Sequence, residues 1–175
     1  EPVVLRDGKG VTVFACGVMV GKALEAAEAL KDEVSVRVVN VSTIKPLNKE
    51  KINEYAKDVK GVVTAEEHSV IGGLGGAVAE ALCKACKPIE MVGVEDRFGA
   101  SAHNYNDILN YLGLTTEHIA DAVRKITGIS MDFSFICSKV SIPSISGMAM
   151  SRRIRSNFAA NKVFPSSIPE QQATS

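Results

Sequence analysis

Apolar residues recur along the first 126 positions with two alternating periods. Short Val-rich runs, 3–5, 11–15, 34–41, 61–66 and 89–94, read as strands. The run from Gly61 lacks polar alternation until it surfaces at Glu66, as a strand covered on both faces does. Between them the spacing changes to that of helices. Residues 18–31 carry Val20, Ala23, Leu24, Ala27 and Leu30 on one face, with Lys22, Glu25, Glu28 and Lys31 elsewhere. Pro46 and Asn48 open a helix that runs to Val59, and Val78, Ala81, Leu82 and Ala85 mark a third, beginning near Gly75. Residues 107–112 form a short helix stopped at Gly113. Thr115 or Thr116 then caps a last one with Ile119, Ala122, Val123 and Ile126 as its stripe.

Strands alternating with helices imply parallel pairing through right-handed crossovers. The first two runs differ, because Arg6-Asp7-Gly8-Lys9-Gly10 is a short Asp-Gly link and predicts an antiparallel hairpin. The expected fold is therefore α/β: a three-layer α/β/α sandwich around a five-stranded, mostly parallel sheet with one antiparallel edge strand. The domain is expected to span residues 1–126. Residues 127–175 carry irregular serines, Pro143, Pro165, Pro169 and the cluster Arg152-Arg153-Ile154-Arg155, and are expected to be a disordered or non-native tail.

The stretch from Gly61 to Leu82 organises the rest. A buried strand surfaces at Glu66, a polar loop follows, and Gly72, Gly73, Gly75 and Gly76 lead into the third helix. Glycines before a helix invite a phosphate or dinucleotide reading, since free N–H groups at a helix start attract anions. Two details oppose it. With Gly73 and Gly75 as the first two glycines of G-x-G-x-x-G, Val78 falls where the third belongs, and residues 67–71 replace the tight turn. The phosphate-loop Gly-Lys-Ser/Thr is missing as well.

Composition narrows the function further. Lys+Arg and Asp+Glu both number 20 in the 175 residues, so no basic field draws nucleic acid. No apolar segment is long enough to span a bilayer, and a cytoplasmic protein is expected. Of the four cysteines, Cys83 and Cys86 form a C-x-x-C pair placed well inside the third helix, where two half-buried residues are expected rather than a redox or zinc site. His68, beside Glu67, is the first candidate for acid–base work. Its rival role is a hydrogen bond at a domain or subunit contact, which is favoured because no recognisable catalytic motif places a serine or cysteine nucleophile beside it. His103, near Ser101, has the same two readings, and His118 is expected at the surface.

Several segments together resemble the C-terminal domain of transketolase. They are residues 11–17, residues 38–47 with Ile44-Lys45-Pro46-Leu47, Glu66-Glu67-His68 with the glycines to Val78, Phe98-Gly99-Ala100-Ser101, and Gly113-Leu114-Thr115. The resemblance covers roughly residues 3–126. After Ser101 many relatives have Gly where this chain has Ala102.

It implies the third domain of a thiamine-diphosphate-dependent enzyme, or part of a separate C-terminal subunit, that moves a two-carbon ketol unit between sugar phosphates. Thiamine diphosphate and magnesium belong to the full enzyme, held by its other domains. That location agrees with the absence of Gly-Asp-Gly from this chain. The implied partners are those catalytic domains or an N-terminal subunit, in a homodimeric assembly, with no nucleic acid and no membrane. No catalytic, cofactor-binding or metal-binding residue is carried over. Candidate interface or ligand contacts are Glu67, His68, Gly72, Gly73, Gly75, Gly76, Ser101 and His103. The alternatives are a stand-alone nucleotide- or anion-binding regulatory module, or the matching domain of deoxyxylulose-phosphate synthase or the 2-oxo acid dehydrogenase E1 β subunit.

Overall fold

The computed structural model describes residues 1–99 and 101–128. The expectations for the tail from 129 onward, and for Ala100, lie outside the described residues. Five strands, β1 (Val3–Arg6), β2 (Val11–Ala15), β3 (Val36–Asn40), β4 (Gly61–Ser69) and β5 (Ile89–Val94), form one sheet in the order β1-β3-β2-β4-β5. β2 pairs in parallel with β3 and β4, and β4 with β5, while β1 runs antiparallel to β3. Five helices complete the fold: α1 (Met19–Ala29), α2 (Lys49–Ala56), α3 (Leu74–Leu82), α4 (Tyr105–Leu112) and α5 (Thr116–Thr127).

The three-layer sandwich and the antiparallel edge strand are as the sequence predicts. Side chains alternate across the central strand: Val11, Val13 and Ala15 face a core shared with α1 and α5, and Phe14 faces a second core built on α2 and α3. All five residues of β2 are buried, so it needs a strand on each side as well as a helix on each face.

That requirement overturns the hairpin. β1 does not pair with β2. It lies on β3, with Val4 opposite Val39 and Arg6 opposite Val38. Its residues alternate between exposed and half-buried, which suits the sheet edge and not a place beside the fully covered β2. The Asp-Gly link follows the start of β3 instead of making a tight turn. Gly10 N–H donates to the Ser35 carbonyl at 2.7 Å, and Asp7 Oδ1 accepts from its neighbour Gly8 N–H at 2.9 Å and from Arg37 Nε at 3.0 Å.

The helix ends show ordinary capping chemistry. Asn48, Asn104 and Thr115 each accept a backbone N–H with their side chains, and Gly113 and Gly128 end α4 and α5 in the left-handed conformation. α3 differs from these three. Its N-cap is Gly73, which has no side chain to offer.

Candidate functional site

β2 leads to α1 on one face of the sheet, and its neighbour β4 leads to α3 on the other. The carboxyl ends of β2 and β4 are therefore the topological switch point, where open α/β sheets form their crevice. A cleft of about 370 Å³ lies there, lined by Cys16, Gly17, Val18 and Ile44 on one side and Glu66, Glu67, His68, Gly72 and Gly73 on the other. Four of the candidate contacts, Glu67, His68, Gly72 and Gly73, thus come together.

What fills the anion seat of α3 is part of the chain itself. Glu66 is 1% exposed, so the strand surfaces one residue later than its sequence suggests. Its Oε2 accepts the Leu74 N–H and its Oε1 the Gly75 N–H, both at 2.7 Å. A carboxylate so placed satisfies two of the orphan donors of the first turn and meets the positive end of the helix dipole.

The surrounding backbone is built to let Glu66 in. β4 and β5 slip out of register between Ala65 and Ser69, where four residue steps on β4 match the two from Val92 to Val94 on β5. Gly93 sits opposite this bulge. A Cβ there would meet Val70 Cγ1 at 2.8 Å and the His68 carbonyl oxygen at 3.0 Å. A Cβ on Gly73 would collide with Glu66 Oε2 itself.

The chemistry available at the rim is modest. His68 is exposed, and its Nδ1 donates to the Ser69 carbonyl at 3.0 Å, which fixes its tautomer. Glu67 Oε2 accepts from the Tyr105 hydroxyl at 2.8 Å, and that hydrogen bond pushes the phenol above its ordinary pKa. Burial, then the nearby charge of Glu66, raises the Cys16 thiol as well, so the one cysteine in the cleft is held away from the reactive thiolate form. Arg97 points elsewhere, donating to the Leu112 carbonyl at the end of α4 at 3.2 Å.

The remaining candidates are dispersed. Gly75 packs under Met91 and Thr64, and a Cβ on Gly76 would meet only the Val70 carbonyl oxygen, at an ordinary 3.9 Å. Ser101 and His103 are exposed on the loop entering α4. His118 is exposed, as expected, and its Nδ1 lies 2.9 Å from the Thr115 hydroxyl. The cysteine pair is not where the sequence places it. α3 stops at Leu82, so Cys83 caps the helix, Cys86 lies beyond it, and both are exposed rather than half-buried.

Sequence reasoning missed Glu66 as the cap and Tyr105 as a partner of Glu67. The signal for Glu66 was present: a helix opening on glycine and leucine has donors that its own first turn cannot satisfy, and a carboxylate lies eight residues upstream.

These features do not fit a bound diphosphate and its magnesium ion. A second anion at the start of α3 would face the Glu66 carboxylate, and among the described residues no three His, Cys, Asp or Glu side chains converge on a common point. No helix among the described residues is long and apolar enough to cross a membrane.

Fold and cleft together define a doubly wound α/β domain whose switch point is capped from within. Residues 1–119 match the family model "Transketolase, C-terminal domain", and the chain belongs to that family. Among its relatives, the 6-deoxy-6-sulfo-D-fructose transketolase subunit SqwH of Clostridium sp. (strain MSTE9) is 43% identical over 129 residues, covering 70% of this chain and 38% of that protein. The 1-deoxy-D-xylulose-5-phosphate synthase of Geobacillus sp. (strain WCH70) is 37% identical over 129 residues, 70% of this chain and 20% of its own length.

Among solved structures, a split-gene transketolase, an inactive beta4 tetramer, superposes with a TM-score of 0.67 at 45% identity, covering 73% of this chain and 41% of the other. Transketolase from Leishmania mexicana, at 22% identity and a TM-score of 0.55, shares the fold over 73% of this chain and 18% of its own. The chain thus spans about two fifths of the length of the Clostridium transketolase subunit and of the split-gene transketolase, and about one fifth of the Geobacillus synthase.

Proposed function

We propose that this chain is the C-terminal docking lobe of a thiamine-diphosphate-dependent transketolase, which moves a two-carbon ketol unit between sugar phosphates in the cytoplasm as part of pentose phosphate chemistry. The ketol transfer itself takes place on polypeptide outside this chain. The lobe meets the catalytic domains, or an N-terminal subunit, through the carboxyl edge of its sheet, and the assembly is a homodimer of such units. The lobe runs through α5 to the Gly128 that ends it, two residues beyond the boundary expected from the sequence.

One observation carries this reading. The connections that leave the carboxyl ends of β2, β4 and β5 each hold a large apolar residue out to solvent: Val18 is 50% exposed, Ile71 67% and Phe98 98%. The adjoining helix start is already closed by Glu66. An edge that presents apolar groups while its anion seat is filled suits a protein partner better than a phosphate ligand. His68 and Glu67 then serve as rim contacts, as do Gly72, Ser101 and His103. The split-gene and sulfofructose relatives support a separately encoded subunit.

Burial of a large apolar side chain contributes about 2 kcal/mol. Ile71→Asp and Phe98→Ala should each weaken the complex with a transketolase N-terminal subunit by roughly thirtyfold in Kd. Sedimentation of mixtures checks this. Unchanged affinity in both variants would move the contact away from this edge.

A further inference from the structure

Cys83 and Cys86 take no part in the docking edge. α3 starts at the carboxyl edge of the sheet and runs back about 13 Å, so its end, where the two cysteines sit, lies toward the amino ends of the strands. They stay accessible when the opposite edge is covered.

Three observations concern this pair. Both thiols are free and exposed. Residues 83–86 are turn residues that follow α3, with the Ala85 N–H donating to the Leu82 carbonyl at 2.8 Å, so the two cysteines are three residues apart on curled rather than extended backbone, as a disulfide with Cα atoms roughly 4.4–6.8 Å apart requires. Cys86 has a φ of 50° and is the sole non-glycine residue of positive φ among the described residues. Such a position after a helix is usually filled by glycine, which is unstrained there. Retaining a cysteine at a glycine's place needs a reason that helix termination does not provide.

Zinc does not provide it. Two thiolates leave a tetrahedral ion half-coordinated, and no third ligating side chain joins them among the described residues.

We propose that Cys83 and Cys86 form a reversible dithiol–disulfide pair that exchanges with anionic low-molecular-weight disulfides of the glutathione disulfide type. Lys84 lies between the two cysteines and Lys87 directly after the second, and their charges attract such a reagent. One thiolate attacks the incoming disulfide, forming a mixed disulfide and expelling one reagent thiolate. The second cysteine, as thiolate, attacks the protein sulfur of that mixed disulfide and expels the other. The two cysteine protons are taken up by the two expelled thiolates, so the net change is oxidation of two cysteine thiols and reduction of one disulfide to two thiols.

The residue that follows the turn is tied to the end of α2. Lys87 Nζ donates to the Lys57 carbonyl at 3.0 Å and the Val59 carbonyl at 2.6 Å, just past the end of α2.

The test uses the full chain, incubated with excess glutathione disulfide, then alkylated and cut with trypsin. Cleavage after Lys84 separates the two cysteines unless a sulfur–sulfur bond joins the fragments, which reductant would then release. The linked fragments should exceed glutathione adducts at either cysteine by at least tenfold. In Cys86→Ser a lasting adduct should appear on Cys83, and in Cys83→Ser one on Cys86, because the resolving thiol is gone. Three results would each overturn the proposal: lasting adducts in the unaltered chain at the level of the serine variants, both thiols remaining open to alkylation, or linkage predominantly to Cys137 or to a second chain.

Discussion

Replacing Glu66 by Gln removes one charge and exchanges one acceptor for a donor, with almost no change in volume. In the native chain both carboxylate oxygens accept backbone N–H groups at 2.7 Å, and the side chain is 1% exposed. A hydrogen bond to a charged group contributes about 1.5–3 kcal/mol, and a neutral one about 1. Gln keeps one bond in its weaker neutral form, at a loss of about 1 kcal/mol. Its amide NH2 faces the other backbone donor, which is left unsatisfied at a cost of about 1.5 kcal/mol. Loss of the charge at the helix start adds about 0.5 kcal/mol.

The sum is about 3 kcal/mol, a large share of the 5–15 kcal/mol that holds a typical domain together. In urea unfolding followed by circular dichroism, the midpoint should fall by about 1–2 M with an unchanged slope. Glu67→Gln is the matched control on an exposed neighbour and should stay within about 0.5 kcal/mol. The same Glu66 variant should also make Cys16 more reactive toward thiol reagents at neutral pH, since the charge that helps raise that thiol is gone while its burial remains. A Glu66→Gln midpoint equal to that of the Glu67 control would refute the internal cap.

Other substitutions test the packing around it. Gly73→Ala should cost more than 2 kcal/mol in the same assay, because its methyl group collides with Glu66 Oε2 and would lie 2.6 Å from the Ser69 carbonyl oxygen, whereas Gly76→Ala, within α3 and with only an ordinary 3.9 Å contact to the Val70 carbonyl oxygen, should be neutral or gain up to about 1 kcal/mol. Thr64 is fully buried and its hydroxyl has no hydrogen-bond partner among the described residues, so Thr64→Val should raise stability by about 1 kcal/mol; a loss of similar size would reveal a partner for that hydroxyl. Glu33 is held below its ordinary 4.5, first by hydrogen bonds from Arg124, and Asp7 below 3.8, first by its hydrogen bond to Arg37. Groups whose folded pKa is depressed contribute stability that is complete above the ordinary carboxylate range and is lost as pH falls through the folded values. Urea midpoints should therefore be flat from pH 6 to about pH 5 and decline below about pH 4.5, and a decline already complete at pH 5 would contradict these pairings.

The parts of the fold carried by periodicity were legible in the chain. β2 and β4 are Val-rich without polar alternation because a helix layer covers each face, and the caps Asn48 and Thr115 announce their helices through their own side chains. What the sequence concealed depends on long-range partners. The Asp-Gly link looks like a hairpin until β2 is seen to need parallel neighbours on both sides, after which β1 has only the outer edge of β3. Glu66 reads as a strand end meeting solvent until the two-residue bulge turns it under α3. The cleft was legible as a location, since the carboxyl edge gathers Cys16, Glu67 and His68, but its electrostatics were not. Of the charged residues at that edge, Glu66 is buried as a helix cap, and Arg97 turns away to the end of α4.

The central claim is that the cofactor chemistry belongs to other polypeptide and that this lobe has no seat for it. Calorimetric titration of the purified chain with thiamine diphosphate and magnesium tests that claim directly. The account predicts only dilution heats, because the start of α3 already holds a carboxylate. Saturable binding in the micromolar range by the chain alone would contradict it.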